Sequence, residues 1–321
     1  MVTLDVQGLT TYYFTLSGPV KAVENVNFQI DRGEAIGLAG ESGCGKTTVA
    51  LSVLRILPLG GKIIGGKILF KGRDIVPLPE EEMRKTIRWK GIAIVFQGAM
   101  NALNPVYKVG DQIIEAIVTH EPNTTKNEAA ERTAKLLELV NIDPSRADNY
   151  PHEFSGGMRQ RALIAMSLAC NPELLITDEP ATALDVIVAA HVLKLLNELK
   201  KKFNLAMILI THDLSIIAET CEKTAIMYAG RIAEYGSVVD IFKEPIHPYT
   251  QGLLSVFPGI KSPKARLMSI PGLPPDLLEP PHGCRFNPRC KYAMDICHKV
   301  EPKLTDLGHN HYVSCHLVTK R

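Results

Sequence analysis

A nine-residue stretch, GESGCGKTT at residues 40–48, has the residue types and the spacing of a phosphate-binding loop. Its glycines allow backbone N–H groups to turn toward phosphate oxygens, and the helix that follows adds the positive end of its dipole. We expect Lys46 to reach the β- and γ-phosphates of a nucleotide and Thr47 to place its hydroxyl on Mg²⁺. The expected nucleotide contacts come from the whole stretch, called the phosphate loop below: Gly40, Glu41, Ser42, Gly43, Cys44, Gly45, Lys46, Thr47 and Thr48.

Two carboxylates end an apolar segment, LLITDEP at residues 174–180. Asp178 is predicted to hold the shell of Mg²⁺, and Glu179 to polarise the attacking water as a general base. Phosphoryl transfer asks the protein mainly for positioning and charge neutralisation, so a lysine, a metal ion and a base are the parts that it needs. A solvated strand end is the alternative interpretation, and the phosphate loop earlier in the chain makes it the minor one.

A helix start at FSGGMRQR, residues 154–161, predicts a second site for an anion. Ser155 is a good N-cap residue, and Gly156 and Gly157 leave backbone N–H groups uncovered. Because the chain already has one phosphate loop, a second anion site suggests a site that two chains share.

The elements that must position these residues can be read from the apolar pattern. Residues 34–40, 173–180 and 205–213 each begin as a short buried-type strand and end where a candidate residue stands. From residue 109 to residue 170 the apolar positions follow helical spacing, which predicts a helical insertion in an α/β core.

Composition narrows the class of protein. The 321 residues are 45% hydrophobic and 22% charged, as expected of a soluble folded protein. A net charge of +2 does not indicate a nucleic-acid or anionic membrane partner. No apolar run approaches the roughly 20 residues of a spanning helix, and the N-terminus lacks a secretory pattern, so we expect a cytoplasmic protein.

These motifs together resemble the ATP-binding subunits of ABC transporters. They follow that family's order: the phosphate loop, Gln97 after an apolar strand, FSGGM at 154–158, LLITDEP at 174–180, ALD at 183–185, and His212 after LILIT. The resemblance covers residues 1–245 and predicts a P-loop NTPase ABC cassette of the α/β class. It implies a RecA-like core, an N-terminal antiparallel β part and a helical subdomain at about residues 98–172.

The resemblance also implies roles for single residues. Tyr13 falls where an aromatic ring stacks on adenine, with its aromatic neighbours on either side as alternatives. Gln97 resembles the glutamine that touches Mg²⁺ and relays to a membrane subunit. Asp185 resembles a residue of the dimer seam, and His212 the switch histidine that contacts the γ-phosphate and positions water.

Two chains of this family close on two ATP molecules. By resemblance, residues 155–157 would contact the γ-phosphate of the nucleotide bound by the opposing chain. Phe154 and Met158 replace the usual leucine and glutamine of this motif, and Thr182 replaces a usual serine. None of these changes removes a phosphate contact, so we expect ATP hydrolysis, with closure pushing the helices of separate membrane subunits.

The C-terminal extension, residues 246–321, refines the resemblance. EPIHPYTQGLL, IPGLPPDL and PHGCRFNPRC occur in order, as in ATPases of dipeptide and oligopeptide importers. That resemblance implies permease subunits, a second ATPase chain (a paralogue or a copy) and, indirectly, an extracytoplasmic substrate-binding protein, with this chain at the cytoplasmic face of the membrane. Import of oligosaccharides or nickel remains an alternative. A soluble ABC ATPase acting on nucleic acid is a minor one, because the chain has one cassette and near-neutral charge.

Four cysteines of the extension form a cluster with the spacing C-x5-C-x6-C-x17-C: Cys284, Cys290, Cys297 and Cys315. The close C-x2-4-C pairs typical of zinc sites are missing. Four thiolates also hold [4Fe–4S] clusters, and the resemblance to members of this subfamily implies such a cluster. We therefore predict a [4Fe–4S] cluster, with Zn²⁺ as the alternative and no metal as a third possibility. A metal centre would stabilise a proline-rich extension that cannot bury much core.

Overall fold

The structure, a computed structural model, describes residues 1–96, 98, 102–255 and 270–318. Gln97, predicted to contact Mg²⁺, lies outside the described residues. The chain divides into two compact units. Unit 1 comprises residues 1, 31–34 and 77–209, and unit 2 comprises residues 2–30, 35–76 and 210–321.

Strands and helices alternate along most of the chain. The strands are β1 (Val2–Thr15), β2 (Gly18–Asp31), β3 (Ala35–Ala39), β4 (Gly61–Phe70), β5 (Arg73–Asp74), β6 (Ile92–Val95), β7 (Leu174–Asp178), β8 (Ala206–Ile210), β9 (Lys223–Tyr228), β10 (Arg231–Ser237), β11 (Thr305–Asp306) and β12 (Tyr312–Val313). The α-helices are α1 (Lys46–Leu54), α2 (Glu80–Glu82), α3 (Val109–His120), α4 (Lys126–Leu139), α5 (Gly156–Ser167), α6 (Val186–Phe203), α7 (Leu214–Thr220), α8 (Val238–Lys243) and α9 (Pro248–Leu254).

Unit 2 begins with an antiparallel sheet in the strand order β2-β1-β4-β5. β1 pairs with β4 from Leu4 opposite Phe70 to Tyr13 opposite Gly61, and the register shifts after Gln7. The sheet confirms the predicted N-terminal antiparallel part. It also carries the aromatic residues of β1 to the strand end that lies near α1.

A second group of strands in unit 2 has the order β11-β12-β10-β9-β3. β3 and β9 are parallel, whereas β9 and β10 form a hairpin. Ala229 and Gly230, which connect them, both have positive φ (47° and 83°), as a two-residue type I′ turn requires. β12 pairs with β10 and places Val313 opposite Glu234. A short strand near the end of the C-terminal extension is therefore part of this sheet.

Unit 1 contains strands in the order β8-β7-β6, with β6 and β7 parallel, and the helices α2–α6. β7 is buried along its whole length, as is typical of a strand covered on both faces. α4 begins with a capping box, in which the Thr125 hydroxyl and the Glu128 carboxylate each satisfy the other's backbone N–H. Helices α3, α4 and α5 confirm the predicted helical insertion. Among the helices of the described ranges, none has both the length and the apolarity to cross a membrane.

Candidate nucleotide site and cysteine cluster

The phosphate loop follows the buried strand β3 and depends on glycine at two close approaches. Gly40 has a φ of 144°, and a Cβ on it would lie 2.2 Å from the carbonyl oxygen of Met227. Gly45 has a φ of 106°, and a Cβ there would lie 2.4 Å from the carbonyl oxygen of Ala22. Gly45 is also the N-cap of α1 and provides no side-chain cap. The first N–H groups of α1 are thus available to an anion.

Lys46 lies over the phosphate loop and is buried, with 7% of its surface exposed. Its ammonium group donates hydrogen bonds to the carbonyl oxygens of Gly40 (2.7 Å) and Glu41 (3.0 Å) and contacts the Cys44 sulfur at 3.5 Å. Burial raises the pKa of the Cys44 thiol, and the charge of Lys46 offsets part of that rise. Cys44 therefore stays a neutral thiol, and Lys46 provides the positive charge of the loop.

The aromatic residues at the end of β1 differ in their surroundings. The Tyr13 hydroxyl lies 3.4 Å from the Thr48 hydroxyl on α1. The Tyr12 hydroxyl instead donates to the Glu24 carboxylate at 2.5 Å. Phe14 is half exposed. Of the three aromatic candidates, Tyr13 is thus the one with a contact to the phosphate loop.

His212 lies at the edge of unit 2 where the phosphate loop begins. The N–H of Thr211 donates to the carbonyl oxygen of Leu38, two residues before Gly40, at 3.3 Å. The chain leaving β8 therefore runs beside the end of β3, and His212 is the next residue. Its side chain is exposed, so a ligand at this edge has access to it.

The two carboxylates in unit 1 have different environments at the end of β7. Asp178 is buried, whereas Glu179 is partly exposed. Glu179 has a φ of 47°, in the left-handed region that a non-glycine residue adopts only where the surrounding structure enforces it. Its carboxylate accepts a hydrogen bond from the Thr182 hydroxyl at 2.8 Å. Thr182 thus keeps the hydroxyl group of the serine that it replaces.

The predicted second anion site, residues 155–157 in unit 1, lies beside the start of another helix. Ser155 caps α5, since its hydroxyl accepts from the N–H of Met158 at 3.3 Å. Asp185 caps α6 in the same way, accepting from the N–H of Val188 at 2.9 Å. A Cβ on Gly157 would lie 2.4 Å from Cγ1 of Val188. The structure therefore brings residues 155–157 against the first turn of the helix that Asp185 begins.

The four cysteines of the cluster lie near one another in unit 2. The N–H of Cys284 donates to the carbonyl oxygen of Cys297 at 2.8 Å. The Asn287 side chain donates to the carbonyl oxygens of both Cys284 and Cys297. Burial raises the pKa of the Cys284 thiol to about 11, and the other three thiols of the cluster add to that rise. Burial likewise raises the pKa of Cys290 and Cys315.

Proximity of these thiols is not the same as convergence on one ion. In the part of the chain that the structure describes, no three or more His, Cys, Asp or Glu side chains are arranged to hold a metal ion. A single zinc ion needs each sulfur at about 2.3 Å from one point. None of the four cluster cysteines forms a disulfide either. The arrangement is thus a group of neighbouring cysteines, of which Cys297 is buried and the other three are partly exposed.

Comparison with known proteins places this geometry in a family. Residues 23–182 match the family model for the ABC transporter, and residues 233–297 match that for the oligopeptide/dipeptide transporter, C-terminal region. Over 316 residues the chain is 47% identical to the "Probable peptide ABC transporter ATP-binding protein y4tR" of Sinorhizobium fredii, covering 97% of this chain and 94% of the relative. The chain belongs to the peptide-transport branch of the ABC transporter ATP-binding proteins.

Further relatives and solved structures agree with this placement among ABC transporter proteins. The oligopeptide transport ATP-binding protein OppD of Salmonella typhimurium is 47% identical, over 94% of this chain and 90% of its own. The dimeric structure of MJ0796, a bacterial ABC transporter cassette, superposes with a TM-score of 0.65 at 25% identity, covering 73% of this chain and 98% of that cassette. The cbiO1 protein of Clostridium perfringens superposes equally well at 29% identity, covering 76% of this chain and 91% of its own.

Two residues that the sequence analysis left without a role contact the phosphate loop of this ABC cassette. Arg289 forms a bidentate ion pair with Glu41, and the Tyr249 hydroxyl accepts a hydrogen bond from the Glu41 N–H. Both belong to stretches that support the family resemblance, HPY at 247–249 and NPRC at 287–290. Their position in these stretches was the available signal, but their contacts with a loop more than 200 residues away were not predictable from it.

Proposed function

We propose that the chain hydrolyses ATP as the energy-coupling subunit of an ABC importer for dipeptides and oligopeptides. The observation that carries this proposal is the order of its parts. A cassette with a complete phosphate loop is followed, in one chain, by the C-terminal region of oligopeptide and dipeptide transporters. Relatives named for oligopeptide and dipeptide transport match nearly the whole chain at 47% and 45% identity.

In this proposal the phosphate loop binds the nucleotide. From its position on the carbonyl oxygens of Gly40 and Glu41, the Lys46 ammonium group contacts the β- and γ-phosphates and neutralises their charge. A bound Mg²⁺ supplies further charge neutralisation at these phosphates. The Thr47 hydroxyl, the Asp178 carboxylate and the Gln97 side chain are the residues that would hold it, and such oxygen ligands suit a hard cation. Tyr13 stacks on the adenine ring.

The water-activating groups are Glu179 and His212. Glu179 accepts the proton of the attacking water, and its left-handed backbone and its bond to Thr182 fix the direction of its carboxylate. His212 orients the water and senses the γ-phosphate. These roles ask the protein for positioning, because phosphoryl transfer involves little covalent chemistry by protein groups.

Two such chains form the working unit, the second being a copy or a paralogue. Ser155, Gly156 and Gly157 of each chain complete the site of the other by offering uncovered N–H groups of α5 to the γ-phosphate. Asp185 lies at the seam between the chains. The close approach of Gly157 to Val188 supports placing residues 155–157 and Asp185 at the same surface, because Val188 is in the first turn of the helix that Asp185 caps.

The partners follow from the importer assignment. The pair of ATPase chains binds integral permease subunits at the cytoplasmic face of the membrane, and an extracytoplasmic binding protein delivers the peptide to the permease. ATP binding closes the pair and moves the permease helices, and hydrolysis reopens it.

A reconstituted transporter tests the function. The chain, its second ATPase and its permease subunits are placed in liposomes, and ATP turnover is measured with the binding protein loaded with a dipeptide, an oligopeptide, an oligosaccharide or Ni²⁺. We expect stimulation by peptide alone and none when Glu179→Gln replaces the wild-type chain. Stimulation by the sugar or by nickel instead would contradict the peptide assignment while leaving the ATPase in place.

We further propose that the cysteine cluster holds a [4Fe–4S] cluster. Its support is the position of four neighbouring cysteines, Cys284, Cys290, Cys297 and Cys315, with the N–H of Cys284 bonded to the carbonyl oxygen of Cys297. The close C-x2-4-C pairs typical of zinc sites are missing, whereas four thiolates are the usual ligands of a [4Fe–4S] cluster. Bound iron would stabilise Cys284, Cys290 and Cys315 as thiolates, which burial otherwise disfavours.

Metal analysis tests this assignment. The full chain is purified without oxygen, and its visible spectrum, iron, acid-labile sulfide and zinc are measured per chain. We expect about four irons and four sulfides. Cys297→Ser should lose them, and Cys170→Ala, which removes a buried cysteine outside the cluster, should keep them. One zinc per chain without sulfide would show that the four cysteines hold a single ion. A chain with neither iron nor zinc would contradict the proposal of a metal site.

A further inference from the structure

Glu41, the second residue of the phosphate loop, is held by two groups from the C-terminal part of unit 2. Its backbone N–H donates to the Tyr249 hydroxyl at 2.9 Å. Its carboxylate accepts two hydrogen bonds from Arg289, at 2.6 Å from Nη1 and 2.9 Å from Nη2. A bidentate pair fixes direction as well as distance, so main chain and side chain of Glu41 are both fixed.

Both holding groups are buried and are themselves anchored. Tyr249 is fully buried and packs edge-on against Tyr228, with ring centroids 4.6 Å apart. The Arg289 side chain is 5% exposed, and its Nε donates to the carbonyl oxygen of Pro271 at 2.8 Å. The hydrogen bonds that Arg289 donates to the Glu41 carboxylate raise the pKa of Arg289, so the guanidinium stays charged despite burial. Neither group can follow Glu41 if the loop shifts.

The position of Glu41 also determines the position of the phosphate-binding lysine. The Glu41 carbonyl oxygen is one of the acceptors of the Lys46 ammonium group, at 3.0 Å. The carbonyl oxygen of Gly40 is a second acceptor, and Gly40 lies tightly against β9. The start of the loop is therefore fixed on one side by β9 and on the other by Arg289 and Tyr249.

We propose that Arg289 and Tyr249 are positioning residues of the phosphate loop, through which the C-terminal extension sets the affinity of the chain for ATP. The proposal rests on the proposed nucleotide site. It gives the extension a role in nucleotide binding. Because Arg289 directly precedes Cys290, the same short segment also carries one residue of the cysteine cluster.

The test compares two buried arginines of the same segment. Arg289→Ala removes the contact with the phosphate loop. Arg285→Ala is the matched control. The Arg285 side chain is likewise buried and pairs with a carboxylate, but its partner is Glu24 on β2 and not Glu41 of the phosphate loop. Each full-length variant is assayed in the assembled transporter for KM and kcat with ATP, and for its unfolding temperature.

We expect Arg289→Ala to raise KM for ATP by roughly tenfold to a hundredfold, the range that follows from losing a hydrogen-bonded charge partner. The value of kcat at saturating ATP should change little, because the chemistry involves other residues. Arg289→Lys keeps the charge but not the planar fork of the guanidinium, so its KM for ATP should lie between those of the wild type and Arg289→Ala. Arg285→Ala should lower the unfolding temperature without raising KM. Equal rises in KM for both alanine variants would overturn the proposal.

A double variant provides the second criterion. If Arg289 acts through Glu41, then Arg289→Ala has no further effect on KM in a Glu41→Ala background. An undiminished effect in that background would mean that Arg289 acts only on the fold. Lys46→Ala distinguishes a failure of the proposed nucleotide site from a failure of the positioning role of Arg289. If this variant still binds ATP normally, the nucleotide site itself is wrong. If it loses ATP while Arg289→Ala and Arg289→Lys bind normally, only the positioning role fails.

Discussion

A single added methyl group at Gly157 should separate the second anion site from the helix that Asp185 begins. Gly157 is in the first turn of α5, and a Cβ there would lie 2.4 Å from Cγ1 of Val188. Ordinary contact begins at 3.4 Å, so the new methyl group and Cγ1 of Val188 must separate by about 1 Å. Because valine has one strongly preferred χ1 rotamer in a helix, we expect α5 and α6 to move apart. The start of α5, which we propose to offer N–H groups to the partner's nucleotide, would shift with it.

The expected loss follows from that displacement. Misplacing a reacting group by about 1 Å can reduce turnover by roughly a hundredfold. Overpacking costs about 1–3 kcal/mol of folding free energy. Alanine is favoured over glycine in a helix by about 1 kcal/mol, which offsets part of that cost. We therefore expect a folded variant with normal ATP binding by the isolated chain and about a hundredfold lower turnover in the assembled transporter.

The assay includes a variant that restores the space. Val188→Ala removes the atom against which the new methyl group would press, so Gly157→Ala/Val188→Ala should recover most of the turnover. Val188→Ala alone is the control for the loss of valine. If the double variant is as inactive as Gly157→Ala, the methyl group acts at the nucleotide and not through Val188 on α6, which would contradict this prediction.

The remaining predictions concern the base, the buried histidine and the backbone contact of Glu41. Glu179→Gln should abolish ATP turnover while ATP still binds, and turnover at the wild-type rate would refute its role as base. Burial lowers the pKa of His247 to about 4. The unfolded chain therefore binds a proton below about pH 6.5 that the folded chain does not, and stability should fall by up to about 3 kcal/mol between pH 6.5 and pH 4. Denaturant titrations across that pH range should show a smaller fall in the free energy of unfolding for His247→Gln than for the wild type. An equal fall in both proteins would contradict the role of His247. Tyr249→Phe leaves the partly buried Glu41 N–H without its acceptor and should raise KM for ATP about threefold to tenfold. An unchanged KM would show that this bond does not position the loop.

Several features of the protein were predictable from the sequence because neighbouring residues encode them. The phosphate loop needs glycines, a lysine and a hydroxyl within nine residues, all between a strand and a helix. The positive φ values of Gly40 and Gly45 are the backbone reason for that spacing. The helical insertion likewise follows from periodicity within each helix, and Ser155 and Asp185 cap their helices through bonds that span three residues.

Other features depended on the tertiary structure, since no local pattern records which distant residues meet. The sequence offered three adjacent aromatic residues for adenine, and only the pairing of β1 with β4 and the packing of α1 place Tyr13 beside Thr48. The pair of Arg289 and Glu41 joins positions 248 residues apart. It forms because Phe286 and Arg289 pack against Tyr228 at the end of β9, beside which the phosphate loop lies. By itself the sequence determined what the loop binds, through the chemistry of contiguous groups. Only the fold, which brings remote buried groups to one place, decided what holds that loop in position.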